Sequence, residues 1–283
     1  MTATICFTSL TPAYLPRARV LSASVRRHQP DWYLWAVLVD APPSHLDVRA
    51  AFAGFDRVVD ARALIDEPYQ PWRAGHDVVS ACCAVKGAML LRLLGTGAAR
   101  VVYLDPDIAL FAPLEPLPAA PVLLTPHRLS AEAATPAAKA AAAEMLTHGV
   151  FNLGFLAVAG SAQGFAFARW WAERLRVCVD DPARGLFLDQ RYCDVVPDLF
   201  PGAEVLGDPG YNVASWNLDQ GALSVTGDGA ILANGVPLRF MHFTKHGGVG
   251  ERALQGHAAT NPVAMELWAW YGRQLASETA QSG

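Results

Sequence analysis

Lysine is nearly absent from this chain: there are three, Lys86, Lys139 and Lys245, and most positive charge comes from arginine. Charged residues of all kinds make up only 17%, with a net charge of -4 and a pI near 6.0. That balance provides no basic footprint, so nucleic acid is excluded as an expected partner. Cysteine is scarce and unpatterned. Cys6, Cys82, Cys83, Cys178 and Cys193 are odd in number and lack CxxC spacing, so they read as reduced core thiols rather than disulfides or a zinc site. No apolar run approaches the roughly 18–20 residues that span a bilayer. The N-terminus passes from a short strand-like segment into Pro12, Pro16, Arg17 and Arg19, which is no signal peptide. A cytoplasmic protein without a membrane span is the expectation. Walker A, Gly-x-Ser-x-Gly and dinucleotide glycine fingerprints are missing, as is any internal repeat or composition-marked linker.

What the chain has is apolar residues, 52% of its 283 positions, enough for a substantial buried core. They fall in an alternating order. Apolar strand-like segments at 4–8, 32–39, 57–60 and 100–104 are separated by helical patterns at 15–27 and 80–94. In the first helix Leu15, Ala18, Leu21 and Val25 share one side, and 32–39 (WYLWAVLV) reads as a strand buried on both faces. This βαβ rhythm predicts an α/β fold, with a mainly parallel sheet flanked by helices. The second half is less regular. Strands are expected at 122–124, 151–158 and 238–243, and helices at 164–178, 188–195 and 262–275. An alanine-rich helix or lid is expected over 131–145, flanked by His127 and His148. One domain over 1–283 accounts for this, with a regular βαβ half at about 1–111 and a less regular half at about 112–283.

Val101-Val102-Tyr103-Leu104-Asp105-Pro106-Asp107 delivers two carboxylates to the carboxyl end of an apolar strand, where ligands bind in open α/β sheets. At i and i+2 in an extended stretch, both carboxylates face one side and can address one cation. They leave positions open on an octahedral Mg²⁺ or Mn²⁺. A plain Asp-Pro-Asp turn is the alternative. Near the C-terminus, Phe240-Met241-His242-Phe243-Thr244-Lys245 places an imidazole at the end of an apolar strand and a lysine three residues on. His242 reads either as a ligand to the same cation or as a hydrogen-bonded core histidine.

In this order the residues resemble a GT-A glycosyltransferase close to the glycogenin and lipopolysaccharide galactosyltransferase group, glycosyltransferase family 8. The resemblance rests on Asp105/Asp107 after a Val-Val-Tyr-Leu strand, Asn152/Gly154 on a later strand, the pair Asp189/Gln190, and His242. It implies a Rossmann-like sheet, with a nucleotide-binding half at about 1–111 and an acceptor-side half at about 112–283. It also implies metal ligation by Asp105, Asp107 and His242, and Asn152, Asp189 and Gln190 at the transferred sugar and reacting face. Donor contacts would come from Thr8, Ser9, Lys86, Asn152, Gly154 and Lys245. After His242 the chain departs from the group's His-x-x-Gly-x-x-Lys, so Lys245 matches that lysine only loosely. The first strand also lacks the aspartate often found near the base. The implied activity is metal-dependent transfer of a hexose from a nucleoside diphosphate sugar, a UDP-hexose, to a hydroxyl acceptor with retention. The rivals are a sugar-phosphate nucleotidyltransferase, which would show a glycine-rich basic loop where 8–19 has none, and a non-catalytic binding module. Asn212 and Trp216 read as loop residues that could line an acceptor cleft.

Overall fold

The structure is a computed structural model that describes residues 3–130, 143–257 and 259–280. Most of the expected alanine-rich helix or lid lies outside these residues. Strands β1 (Thr4–Leu10), β2 (Tyr33–Leu38), β3 (Arg57–Asp60) and β4 (Arg100–Leu104) run parallel in the order β4-β1-β2-β3. Beyond β4 the sheet continues through β7 (Phe151–Ala159), which runs antiparallel, then β6 (Val122–Pro126) and the short strand Glu204–Val205. Seven strands thus form one sheet in which only β7 opposes the rest. The mainly parallel expectation holds.

Period-two alternation splits each central strand between two cores. Ile5, Phe7, Val101 and Tyr103 face helices α2 (Val78–Leu94) and α3 (Ala162–Arg174), whereas Cys6, Val102 and Leu104 face α1 (Leu15–His28). Leu15, Ala18, Leu21 and Val25 form the buried stripe of α1, as their spacing requires. Each buried leucine or valine there contributes about 1.5–3 kcal/mol on burial. Helix α2 starts before residue 80 because Asp77 caps it, its carboxylate accepting the Ser80 N–H at 2.7 Å. Close packing of α2 on α3 depends on Gly87, where a Cβ would come within 2.6 Å of the Ala172 Cα.

β2 lies inside the sheet, one strand from the edge, with Leu34, Ala36 and Leu38 buried in one core and Val37 in the other, as expected of a strand covered on both faces. One expectation needs correction. The segment 188–195 is not one helix: Leu188 takes a left-handed φ of 47°, which interrupts the chain before a 3₁₀ turn at Arg191–Val195. Asp189 and Gln190 therefore sit at a bend.

After Asp107 the chain leaves the main sheet. β5 (Ile108–Leu110) pairs antiparallel with the strand Phe240–His242, which also pairs with Val213–Ala214. The register sets His242 opposite Ile108, one residue from Asp107. Helix α4 (Pro262–Ala280) covers this small sheet, with Tyr271 stacked on Phe243 at 4.0 Å. No described helix is long and apolar enough to cross a membrane.

Candidate active site

Asp105, Asp107 and His242 converge: one ligand atom from each lies within 4.8 Å of the others. His242 Nε2 is 3.0 Å from Asp107 Oδ1 and 3.7 Å from Asp105 Oδ2. On the other side of the ring, Nδ1 is 3.2 Å from Asn152 Oδ1, which also accepts the Gly154 N–H at 3.2 Å. An oxygen already accepting from a backbone N–H accepts from His242 as well, so Nδ1 carries a proton and Nε2 is the ring nitrogen that faces the carboxylates. Gly154 makes room for this ring. A Cβ there would come within 2.6 Å of His242 Cε1. Asn-x-Gly is thus a device for setting His242.

Burial lowers the His242 pKa, but Asp107 and, more weakly, Asp105 raise it above its usual value. Burial raises Asp107, and His242 more than offsets this, so that carboxyl is held low. Two carboxylates and one neutral-capable imidazole, all at one point, suit a divalent cation of the Mg²⁺ to Mn²⁺ type and leave further positions for ligand oxygens. The cluster fits such an ion.

Beside it lies a buried charge network. Lys86 Nζ is 2.8 Å from Asp189 Oδ2 and 3.3 Å from Asp105 Oδ1, and it donates to the Leu153 carbonyl at 3.3 Å. The Tyr103 ring centroid is 4.1 Å from the same nitrogen, and the Tyr103 hydroxyl donates to Asp105 Oδ1 at 2.6 Å. Burial opposes the charge on Lys86, but Asp105 and Asp189 together raise its pKa well above the ordinary value. Burial raises the Asp189 carboxyl against the pull of Lys86. Lys86 therefore pairs with two carboxylates at once.

The remaining expected residues separate into groups. Ser9 Oγ donates to the Cys82 carbonyl at 2.8 Å and lies 3.1 Å from the Tyr103 oxygen, so it braces the network from behind. Thr8 Oγ1 is buried and makes no hydrogen bond among the described residues. Gln190 Nε2 donates to the His148 carbonyl at 2.7 Å. Lys245 is exposed, with a left-handed φ of 53°, and no contact draws it into the cluster. Tyr103 is the network member that sequence reasoning passed over, although it stands two residues before Asp105.

Trp216 lies edge-on to both His242, at 5.3 Å, and His127, at 5.6 Å. His127 Nδ1, Asn212 Oδ1 and Trp216 Nε1 are buried without hydrogen-bond partners among the described residues. Unpaired buried polar atoms are uncommon, so these three beside the cluster are candidate ligand contacts. Burial drives the His127 pKa down to about 4.

No protein-family model matches the chain. It is 30% identical over 196 residues to the uncharacterized protein YfnF of Bacillus subtilis (strain 168), covering 66% of this chain and 63% of that one. The chain thus spans less than two thirds of the length of that relative. It is 24% identical over 230 residues to the uncharacterized protein YfnD of the same organism, covering 78% and 71%. Among solved structures it is similar to the galactosyltransferase LgtC in complex with donor and acceptor sugar analogs, with a TM-score of 0.52 and 16% identity over 97% of this chain and 95% of that one. It is also similar to the glycosyltransferase GlyE of Streptococcus pneumoniae TIGR4, with a TM-score of 0.51 and 15% identity over 100% of this chain and 64% of that one. With Asp105 and Asp107 at the carboxyl end of β4 in a mostly parallel sheet, the chain has the GT-A fold of those glycosyltransferases.

Proposed function

We propose that this chain is a metal-dependent hexosyltransferase that moves a sugar from a UDP-hexose to a hydroxyl acceptor with retention of anomeric configuration. The observation that carries the reading is the meeting of Asp105, Asp107 and His242 at one point beside the buried Lys86–Asp189 pair. A bound Mn²⁺ or Mg²⁺ would act there as a Lewis acid toward the donor diphosphate. In the transfer, the bond from the sugar C1 to the diphosphate oxygen breaks and its electron pair leaves with the nucleoside diphosphate. The acceptor oxygen bonds to C1 and gives its proton to a diphosphate oxygen on the same face. This path needs no strong protein base, which agrees with the state of Asp189. That carboxylate is 3% exposed and tied to Lys86 at 2.8 Å, a poor condition for a nucleophile and a good one for anchoring sugar hydroxyls. Asn152 sets the His242 ring, and Tyr103 and Lys86 fix Asp105.

The test is a panel of nucleotide sugars incubated with Mn²⁺. Release of nucleoside diphosphate, and an α-linked product from an α-linked donor by proton NMR, is the expected result. Release of pyrophosphate would mark a nucleotidyltransferase instead, and a β-linked product would remove retention while leaving the metal cluster in place.

A further inference from the structure

Arg17 stands in the first turn of α1, where that helix reaches the metal-type cluster. The helix lies along β5: Ser24 Oγ accepts the Leu110 N–H at 3.1 Å, and Val20 shares a core with Ala109. Seven residues back from Ser24, about 10 Å along the axis, brings Arg17 toward the Asp107 end of that strand. Its Nη2 donates to the His246 carbonyl at 3.5 Å, one turn of chain beyond His242, and its guanidinium lies 4.7 Å over the Tyr14 ring. Arg17 is half-buried and forms no ion pair among the described residues, so most of its five N–H donors remain available. Its charge also helps to hold Asp107 low, after the larger effect of His242.

A second observation lies beside it: the Tyr271 hydroxyl, fully buried on α4, makes no hydrogen bond among the described residues, and the Tyr271 ring lies 5.3 Å from the ring of His246, whose carbonyl takes the Arg17 donor. The other cations nearby are committed or turned away: Lys86 serves Asp105 and Asp189, and Lys245 is exposed. A diphosphate arriving beside the Asp105 and Asp107 carboxylates is favoured by a fixed positive group from the protein.

We propose that Arg17, with the Tyr271 hydroxyl beside it, binds the diphosphate of the nucleotide donor, and that α1 thus supplies the cation expected of Lys245. A planar, always-charged guanidinium suits phosphate oxygens and would also stabilise the charge that the leaving diphosphate gains. The inference rests on the donor reading above.

The experiment is calorimetric titration of the wild type, Arg17→Gln and Arg17→Lys with UDP, GDP and UMP in the presence of Mn²⁺, with melting temperatures recorded alongside. Arg17→Gln should weaken diphosphate binding about ten-fold to a hundred-fold, as expected for loss of a charged hydrogen-bond partner. Its effect on UMP should be much smaller, its melting temperature should stay near that of the wild type, and Arg17→Lys should recover part of the affinity. Unchanged diphosphate affinity in both variants, or an equal loss for UDP and UMP, would overturn the assignment of Arg17. A wild type that binds neither UDP nor GDP would instead overturn the donor reading, and this inference with it.

Discussion

Asn152 holds His242 from behind: its Oδ1 lies 3.2 Å from His242 Nδ1, and the opposite ring nitrogen faces Asp107 at 3.0 Å. The two residues are 90 positions apart in the chain. Their contact exists because β7 begins, and the strand Phe240–His242 ends, beside the Asp105-Pro106-Asp107 turn, whose first amide donates to the Gly154 carbonyl at 2.8 Å.

Removing that hydrogen bond frees the ring. Asn152→Ala should lower affinity for Mn²⁺ in the presence of UDP by roughly ten-fold to a hundred-fold, the range for losing an outer partner of a metal-binding histidine. Electron paramagnetic resonance of free Mn²⁺ measures it. An unchanged affinity would show that His242 is positioned without Asn152.

Lys86 is the center of the buried charge network, so its loss leaves Asp189 charged and unpaired. Lys86→Ala should cost about 3–5 kcal/mol of unfolding free energy, the scale of a broken buried pair. The double variant Lys86→Met with Asp189→Asn should cost less than the sum of its singles. Urea titrations of the set form a double-mutant cycle, and strict additivity would show that the two residues are not coupled.

His127 carries a pH signature. Its pKa in the fold is pushed down to about 4 by burial, below its ordinary value of 6.5. A base held neutral in the fold contributes stability that is present above the unfolded pKa and is lost as pH falls from about 6.5 toward 4. The loss should reach about 2–3 kcal/mol across that window. Unfolding free energies of the wild type and His127→Gln at pH 7 and pH 4.5 isolate it. The wild type should lose more than the variant, and parallel losses would mean that His127 is not held neutral.

Local chemistry made the carboxylate pair legible in the sequence. Val101 to Leu104 reads as a buried strand because it is one, and Asp-Pro-Asp ends it. Leu15, Ala18, Leu21 and Val25 placed α1 for the same reason. What the sequence hid was non-local. The register of β5 against Phe240–His242 joins positions 130 to 134 apart, and no local pattern encodes it. Gly154 looks like any strand glycine until the His242 ring fills the space its missing Cβ leaves. Lys86 read as a donor-facing cation; its pairing with Asp105 and with Asp189, 103 residues away, has no local signature. Arg17 sits on a helix among other arginines, where a solvated cation is the ordinary reading. The break at Leu188 depends on a left-handed φ that leucine rarely adopts, so helical spacing over 188–195 misled.

The central claim is that Asp105, Asp107 and His242 together hold the divalent ion required for turnover of a nucleotide sugar. Its most direct measurement is nucleoside diphosphate release from the preferred donor by the wild type, by chelator-treated wild type, by treated enzyme with Mn²⁺ restored, and by Asp107→Asn. Activity is expected in the first and third and none in the second and fourth, with Asp107→Asn still folded by circular dichroism. Full activity after chelation, or in folded Asp107→Asn, would contradict it.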